Sequence, residues 1–153
     1  MTIRVGFLGA GLISRIHLWL LAESGVDHEV VAVHDPDVDR AARWAEERGA
    51  RVTGEGDLLD RVDAVYVTTW TSEHPRLVAQ AAASGTAVFC EKPLAFDAVT
   101  AQDMVDTVDA AGVTNQVGLI LRFLGPFRLL RHLLADDRAG QVLAVVFRDD
   151  QFI

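Results

Sequence analysis

Val5-Gly6-Phe7-Leu8-Gly9-Ala10-Gly11-Leu12-Ile13-Ser14 is the stretch on which the fold of this chain turns. A short apolar run meets two closely spaced glycines, and an amphipathic segment follows at once. This is the pattern of a strand turning tightly into a helix whose N-terminus faces a phosphate. Ser14 stands where the third glycine of such a turn is usual. A second signal lies about 20 residues further on, where Asp35 closes the next apolar run. That is the spacing expected of a carboxylate that holds an adenosine ribose. Together these features predict a dinucleotide-binding unit, with Gly9, Gly11, Leu12, Ile13 and Asp35 at the nucleotide.

Outward from this turn, strand and helix patterns alternate with few residues between them and without repeats. Strands are expected at residues 3–8, 29–34, 51–53, 64–68, 87–90 and 117–121, and helices at 12–24, 37–48, 73–84 and 97–111, with a helical turn at 57–59. The first helix places Ile13, Ile16, Leu20 and Leu21 on one face; the second turns Val38, Ala41, Ala42 and Ala45 inward. Asp37 is the expected cap of the second helix, and Asp97 or Thr100 that of the fourth. The expected class is α/β, a Rossmann doubly wound parallel sheet with helices on both faces.

Length and composition narrow the function. The 153 residues fit one domain with a proper core. With 14 basic and 22 acidic side chains the net charge is −8, which argues against nucleic acid or an anionic membrane as partner. A dinucleotide is anionic too, so local backbone N–H groups and a helix end must hold its pyrophosphate. Cys90 is the lone cysteine, which excludes an intrachain disulfide and suits the cytoplasm. No apolar run is long enough to span a membrane, and the Met1-Thr2-Ile3-Arg4 start is read as the first strand, not a leader. Metal-ligand spacing of His or Cys is absent, as are nucleophile-elbow and phosphate-loop lysine motifs.

Ligands of an open parallel sheet sit outside the carboxyl ends of its strands. Four suggestive segments fall there: 9–13, Asp35, Thr69-Trp70-Thr71-Ser72-Glu73-His74, and Glu91-Lys92-Pro93. The run Ala87-Val88-Phe89-Cys90-Glu91-Lys92-Pro93-Leu94-Ala95 resembles the strand and Glu-Lys-Pro-Leu-Ala segment of the glucose–fructose oxidoreductase, inositol dehydrogenase and MocA family. The Gly-Ala-Gly-Leu-Ile-Ser turn with His17 beyond it, and Val117-Gly118 to Arg122-Phe123, are similar to the same family. The resemblance implies an NAD-dependent oxidoreductase acting on a secondary alcohol of a sugar, cyclitol or related polyol, with Lys92 beside the nicotinamide and the reacting carbon. It adds Thr69, Trp70, His74, Glu91 and Lys92 to the cofactor-binding residues. A lysine there orients and polarises the developing alkoxide, and Glu91 favours its charged form if the two side chains approach.

Several alternatives stay open at this level. Asp35 disfavours the 2′-phosphate of NADP, whereas the nearby Arg40 keeps NADP open. Trp70 and Thr71 stand where the family has proline and asparagine. His17 reads as a packed or capping histidine, His74 as a helix-start residue, and Arg122 has no assigned partner. After residue 121 a helix at 127–134 and an apolar strand at 142–147 are expected. The resemblance makes residues 1–121 the dinucleotide domain and 122–153 the first elements of a C-terminal substrate domain that is largely missing. The alternative is a non-catalytic dinucleotide sensor or partner subunit, and pairing of the last strand with a second copy would give a homo-oligomer.

Overall fold

A computed structural model describes residues 1–136, 140–144 and 146. Six strands, β1 (Ile3–Leu8), β2 (His28–His34), β3 (Arg51–Val52), β4 (Ala64–Val67), β5 (Ala87–Cys90) and β6 (Asn115–Val117), form one parallel sheet in the order β3-β2-β1-β4-β5-β6. Helices α1 (Leu12–Glu23), α2 (Val38–Glu46), α3 (Glu55–Leu59), α4 (His74–Ala83) and α5 (Ala98–Ala111) connect them. The strand order reverses between β1 and β4, the point at which such sheets open a ligand crevice. Asp37 caps α2 by accepting from the Arg40 N–H, and Asp97 caps α5 by accepting from Thr100.

The sheet is covered on both faces, which is why β1 and β4 read as continuous apolar runs. On one side Leu8, Val65, Val67, Val88 and Cys90 pack with residues of α3, α4 and α5. On the other, Val5, Phe7 and Val33 pack with Leu18 of α1 and Trp44 of α2. Phe7, Tyr66 and Phe89 are opposed in register across β1, β4 and β5. Their rings follow one another at 4.8 and 4.9 Å. Fully burying a side chain such as Phe7 or Leu8 contributes about 1.5–3 kcal/mol relative to leaving it in water.

Several expectations are corrected. The sheet-facing stripe of α1 is Ser14, His17 and Leu18, with Leu21 packed against the same core. Ile13, Ile16 and Leu20 face solvent. The glycine turn sets the rotation of the helix, and two of its inward positions are polar, so apolar spacing alone picks the wrong face. In α2 the inward residues are Ala41, Trp44 and Ala45, while Val38 and Ala42 are exposed. The sixth strand spans Asn115–Val117 and not residues 117–121, because a 3₁₀ turn at Ile120–Phe123 takes over.

The chain divides after Gly118 into two compact units. The second unit starts at Leu119 and carries that 3₁₀ turn and α6 (Gly125–Ala135), with Pro126 in its first turn. No residue of α6 is buried. Arg122 lies in this unit, in a depression shared with Leu121, Phe127 and Arg131. Of the strand expected at 142–147, Val142, Leu143 and Ala144 show no strand, and Val145 and Phe147 lie outside the described residues.

At the amino end of the sheet, Arg4 ties β1 to the start of β4. Its backbone N–H and Nε donate to Asp63 Oδ2 at 2.8 and 3.1 Å, and Nη2 donates to Oδ1 at 2.7 Å. These hydrogen bonds hold the Asp63 carboxyl at about 2, down from 3.8. A carboxylate with a depressed folded pKa adds stability above its unfolded pKa and loses it as pH falls through the folded one. Urea midpoints of the wild type and Asp63→Asn should therefore differ by a constant amount above about pH 4 and converge as pH drops through about 2.

Candidate functional site

The four chain segments at the carboxyl edge start at one level. The Gly9 N–H donates to the His34 carbonyl at 2.8 Å, Thr68 to Leu8 at 2.8 Å, Glu91 to Val67 at 3.0 Å and Gly118 to Cys90 at 2.8 Å. Gly9 then turns with φ +100°, and a Cβ there would lie 2.7 Å from the Thr68 carbonyl oxygen. Only glycine tolerates both conditions. The Thr68 hydroxyl, which the sequence reading missed, donates to the Leu8 and Gly9 carbonyls at 3.1 and 2.9 Å.

Beyond this turn opens a cavity of about 690 Å³, within the range of small-molecule and cofactor sites. Seven of the expected residues meet in its wall: Gly9, Gly11, Leu12, Ile13, Asp35, Thr69 and Trp70. Arg40 and Glu73 join them. Gly11 is the N-cap of α1 and has no side-chain cap, and a Cβ there would meet nothing within 4 Å. The first N–H groups of the helix thus lack intrahelical partners and face open space, a seat for an anion. Trp70 and Leu12 are largely exposed at the rim, presenting flat apolar surface to whatever enters.

Asp35 is buried, and its two oxygens accept from the Ala10 N–H at 2.8 Å and the Asp37 N–H at 2.9 Å. Each oxygen keeps lone-pair capacity for a further donor. Arg40 is engaged: Nη2 donates to Asp37 at 2.9 Å and Nε lies 3.8 Å from Asp35. Beneath the turn, the Ser14 hydroxyl donates to the Gly11 carbonyl at 2.6 Å and accepts from Trp44 Nε1 at 3.0 Å. Serine in place of the third glycine is therefore the partner of a buried indole, not a lapse in the motif.

The remaining expected residues do not line this cavity. His74 is buried at the start of α4, with Nδ1 2.9 Å from the Pro93 carbonyl oxygen and Nε2 3.3 Å from that of Thr69. Glu91 is buried as well. One of its oxygens accepts from the Lys92 backbone N–H at 2.9 Å, and the other lies 2.6 Å from His17 Nε2. Among the described residues there is no ion pair between Glu91 and the Lys92 ammonium, contrary to the approach considered above. Lys92 is exposed at the same sheet edge, one strand beyond Thr68. It is also the single lysine of the chain. That count is a sequence signal, since every other fixed positive side chain is arginine.

A parallel sheet with a reversal point, an uncapped helix N-terminus after a glycine turn and a buried carboxylate ending β2 define a dinucleotide-binding Rossmann domain. The sequence profile described as the oxidoreductase family, NAD-binding Rossmann fold, matches residues 3–119. The chain belongs to this family, whose members include glucose–fructose oxidoreductase, inositol dehydrogenase and MocA types. It is 40% identical over 147 residues to inositol 2-dehydrogenase 3 of Saccharopolyspora erythraea, covering 94% of this chain and 44% of that protein. It is 35% identical over 151 residues to inositol 2-dehydrogenase of Acidiphilium cryptum, covering 95% and 45%.

Among solved structures, the WlbA dehydrogenase of Bordetella pertussis in complex with NADH and UDP-GlcNAcA superposes with a TM-score of 0.85 at 29% identity. The match covers 92% of this chain and 44% of that one. A putative myo-inositol dehydrogenase of Sinorhizobium meliloti gives 0.80 at 32% identity, covering 91% and 43%. The chain thus spans under half the length of the relatives it matches.

Among the described residues no group of His, Cys, Asp and Glu is disposed to hold a metal ion, and no helix is long and apolar enough to cross a membrane. Cys90 is no nucleophile. Burial, followed by the Glu91 carboxylate, pushes its thiol up to about 12. A maleimide at neutral pH should label native protein roughly a hundredfold or more slowly than urea-unfolded protein, read by intact mass.

Proposed function

We propose that this chain is the nucleotide-binding half of an NAD-dependent oxidoreductase that moves a hydride between nicotinamide and a secondary alcohol of a cyclitol, sugar or related polyol. The observation that carries the reading is the meeting of Gly11, Asp35 and Trp70 around one cavity. In it, the N–H groups after Gly11 receive the pyrophosphate, and the free lone pairs of Asp35 accept from the adenosine ribose hydroxyls. Trp70, Thr69 and Leu12 wall the nucleotide. Family membership supports an oxidoreductase over a non-catalytic sensor.

Bound nicotinamide supplies the hydride acceptor. The Lys92 ammonium donates to the substrate oxygen and stabilises the alkoxide from which the hydride departs, the hydroxyl proton having passed to water. His74 and Glu91, both buried off the cavity, support this machinery and do not touch the nucleotide. Residues 1–121 form the nucleotide domain in this reading, and 122–153 lead toward the substrate-binding portion that makes up the remaining length of the relatives. NAD is preferred over NADP, because Asp35 repels a 2′-phosphate and Arg40 is committed to Asp37. A buried lone Cys90 suits the cytoplasm.

NADH titration followed by its fluorescence should saturate, and absence of saturable binding at millimolar nucleotide would sink the reading. Asp35→Ala should weaken NADH by about tenfold or more, as loss of hydrogen bonds to a charged group implies, and narrow the gap to NADPH. Trp70→Phe should remove more of the indole-to-NADH energy transfer than Trp19→Phe, because Trp19 is exposed on α1 and does not line the cavity. Lys92→Ala should leave NADH affinity within about twofold, since the ammonium acts on the substrate and not on the nucleotide.

A further inference from the structure

We propose that His17 is a positioning residue for Lys92, acting through Glu91. The pair joins α1 to the end of β5 at 2.6 Å, and both side chains are almost wholly buried. Burying a carboxylate and an imidazole is unfavourable unless each finds its partner. Here both do, in a place where neither contacts the nucleotide cavity. The imidazole is itself wedged, its ring 4.8 Å from Phe89 and 5.5 Å from Tyr66.

Glu91 is held from two directions. His17 takes one oxygen, and the Lys92 backbone N–H donates to the other at 2.9 Å. Gly118 leaves room for this placement, since a Cβ there would fall 3.1 Å from Glu91 Oε1. A carboxylate so fixed cannot swing toward the Lys92 ammonium, which lies on the adjacent residue. Without His17 one carboxylate oxygen loses its partner and only the Lys92 backbone N–H holds the other, so the side chain can turn and draw the lysine into an ion pair. The pair thus leaves the ammonium available to a substrate oxygen. His74 steadies the other side of the same loop through the Pro93 carbonyl. Because α1 also presents Gly11 to the cavity, one helix sets both the anion seat and, through His17, the lysine. The inference rests on the catalytic reading of Lys92 given above.

The single lysine makes the test direct. Protein grown on isotope-labelled lysine shows one side-chain Cε signal, whose titration midpoint is read by NMR without nucleotide. Among the described residues the other ionisable groups near the pair and its loop are the Tyr66 phenol, the Cys90 thiol and the His74 imidazole, which meets the Pro93 carbonyl. His17→Phe keeps an aromatic ring and removes the donor. It should raise the Lys92 midpoint by about half a pH unit or more, as a freed carboxylate approaches. His17→Gln, which restores a donor, should return the midpoint to the wild-type value, and adding Glu91→Gln to His17→Phe should abolish the rise. A folded His17→Phe protein with an unchanged midpoint overturns the proposal, even if its thermal stability falls. Should His17→Phe not fold, Glu91→Gln alone carries the test: an unchanged midpoint supports the proposal, and a midpoint lowered by about half a pH unit or more, which would mean that Glu91 already acts on the ammonium, overturns it. Failure to bind NADH would count against the dehydrogenase reading, and leaves the lysine measurement standing on its own.

Discussion

The close approach of Gly9 to the Thr68 carbonyl is the constraint on which the rest depends. β1 and β4 are neighbours in the sheet although two strands, β2 and β3, lie between them in the chain, and the chain leaving β1 must pass directly over the end of β4. With a Cβ 2.7 Å from a carbonyl oxygen excluded, only glycine passes. The same turn points α1 at the cavity, sets the rotation that buries Ser14 and His17, and brings Ala10 to Asp35. The Thr68 hydroxyl, its one proton shared between the consecutive Leu8 and Gly9 carbonyls, ties the start of the turn to the end of β4.

A protein of net charge −8 that binds an anionic nucleotide has to work locally. The partial positive charge of an uncapped helix terminus is effective only within about a turn, so the anion must sit against Gly11 itself. In the proposed function the acidic side chains around the cavity act as selectors: Asp35 accepts from hydroxyls and repels a further phosphate, while Asp37 occupies Arg40. The one lysine stands at the neighbouring strand end.

Apolar periodicity served the strands well, because a strand covered on both faces announces itself as a continuous run. It served the helices less well. The inward face of α1 is carried by Ser14 and His17, and that of α2 by Trp44, whose indole needs the serine. Such residues are legible as core only once their partners are known: Ser14 with Trp44, His17 with Glu91, His74 with Pro93. Each of these pairs is separated by many residues, and no local pattern links its members. The sixth strand ran short for a related reason, since an apolar run does not distinguish a strand from a 3₁₀ turn.

By itself the sequence determined the fold class, the glycine turn, the carboxylate that follows β2 and the lysine-bearing loop, because each is a local matter of turn chemistry or of spacing along one strand–helix unit. It also carried the family resemblance, which resides in contiguous motifs. Only the tertiary structure decided which of the candidate side chains share the cavity and which stand behind it. It placed Trp70 at the rim, turned His74 and Glu91 into the interior, and joined His17 to the lysine loop. The physical reason is that a buried polar group is placed by whichever partner satisfies it, and that partner comes from a distant part of the chain.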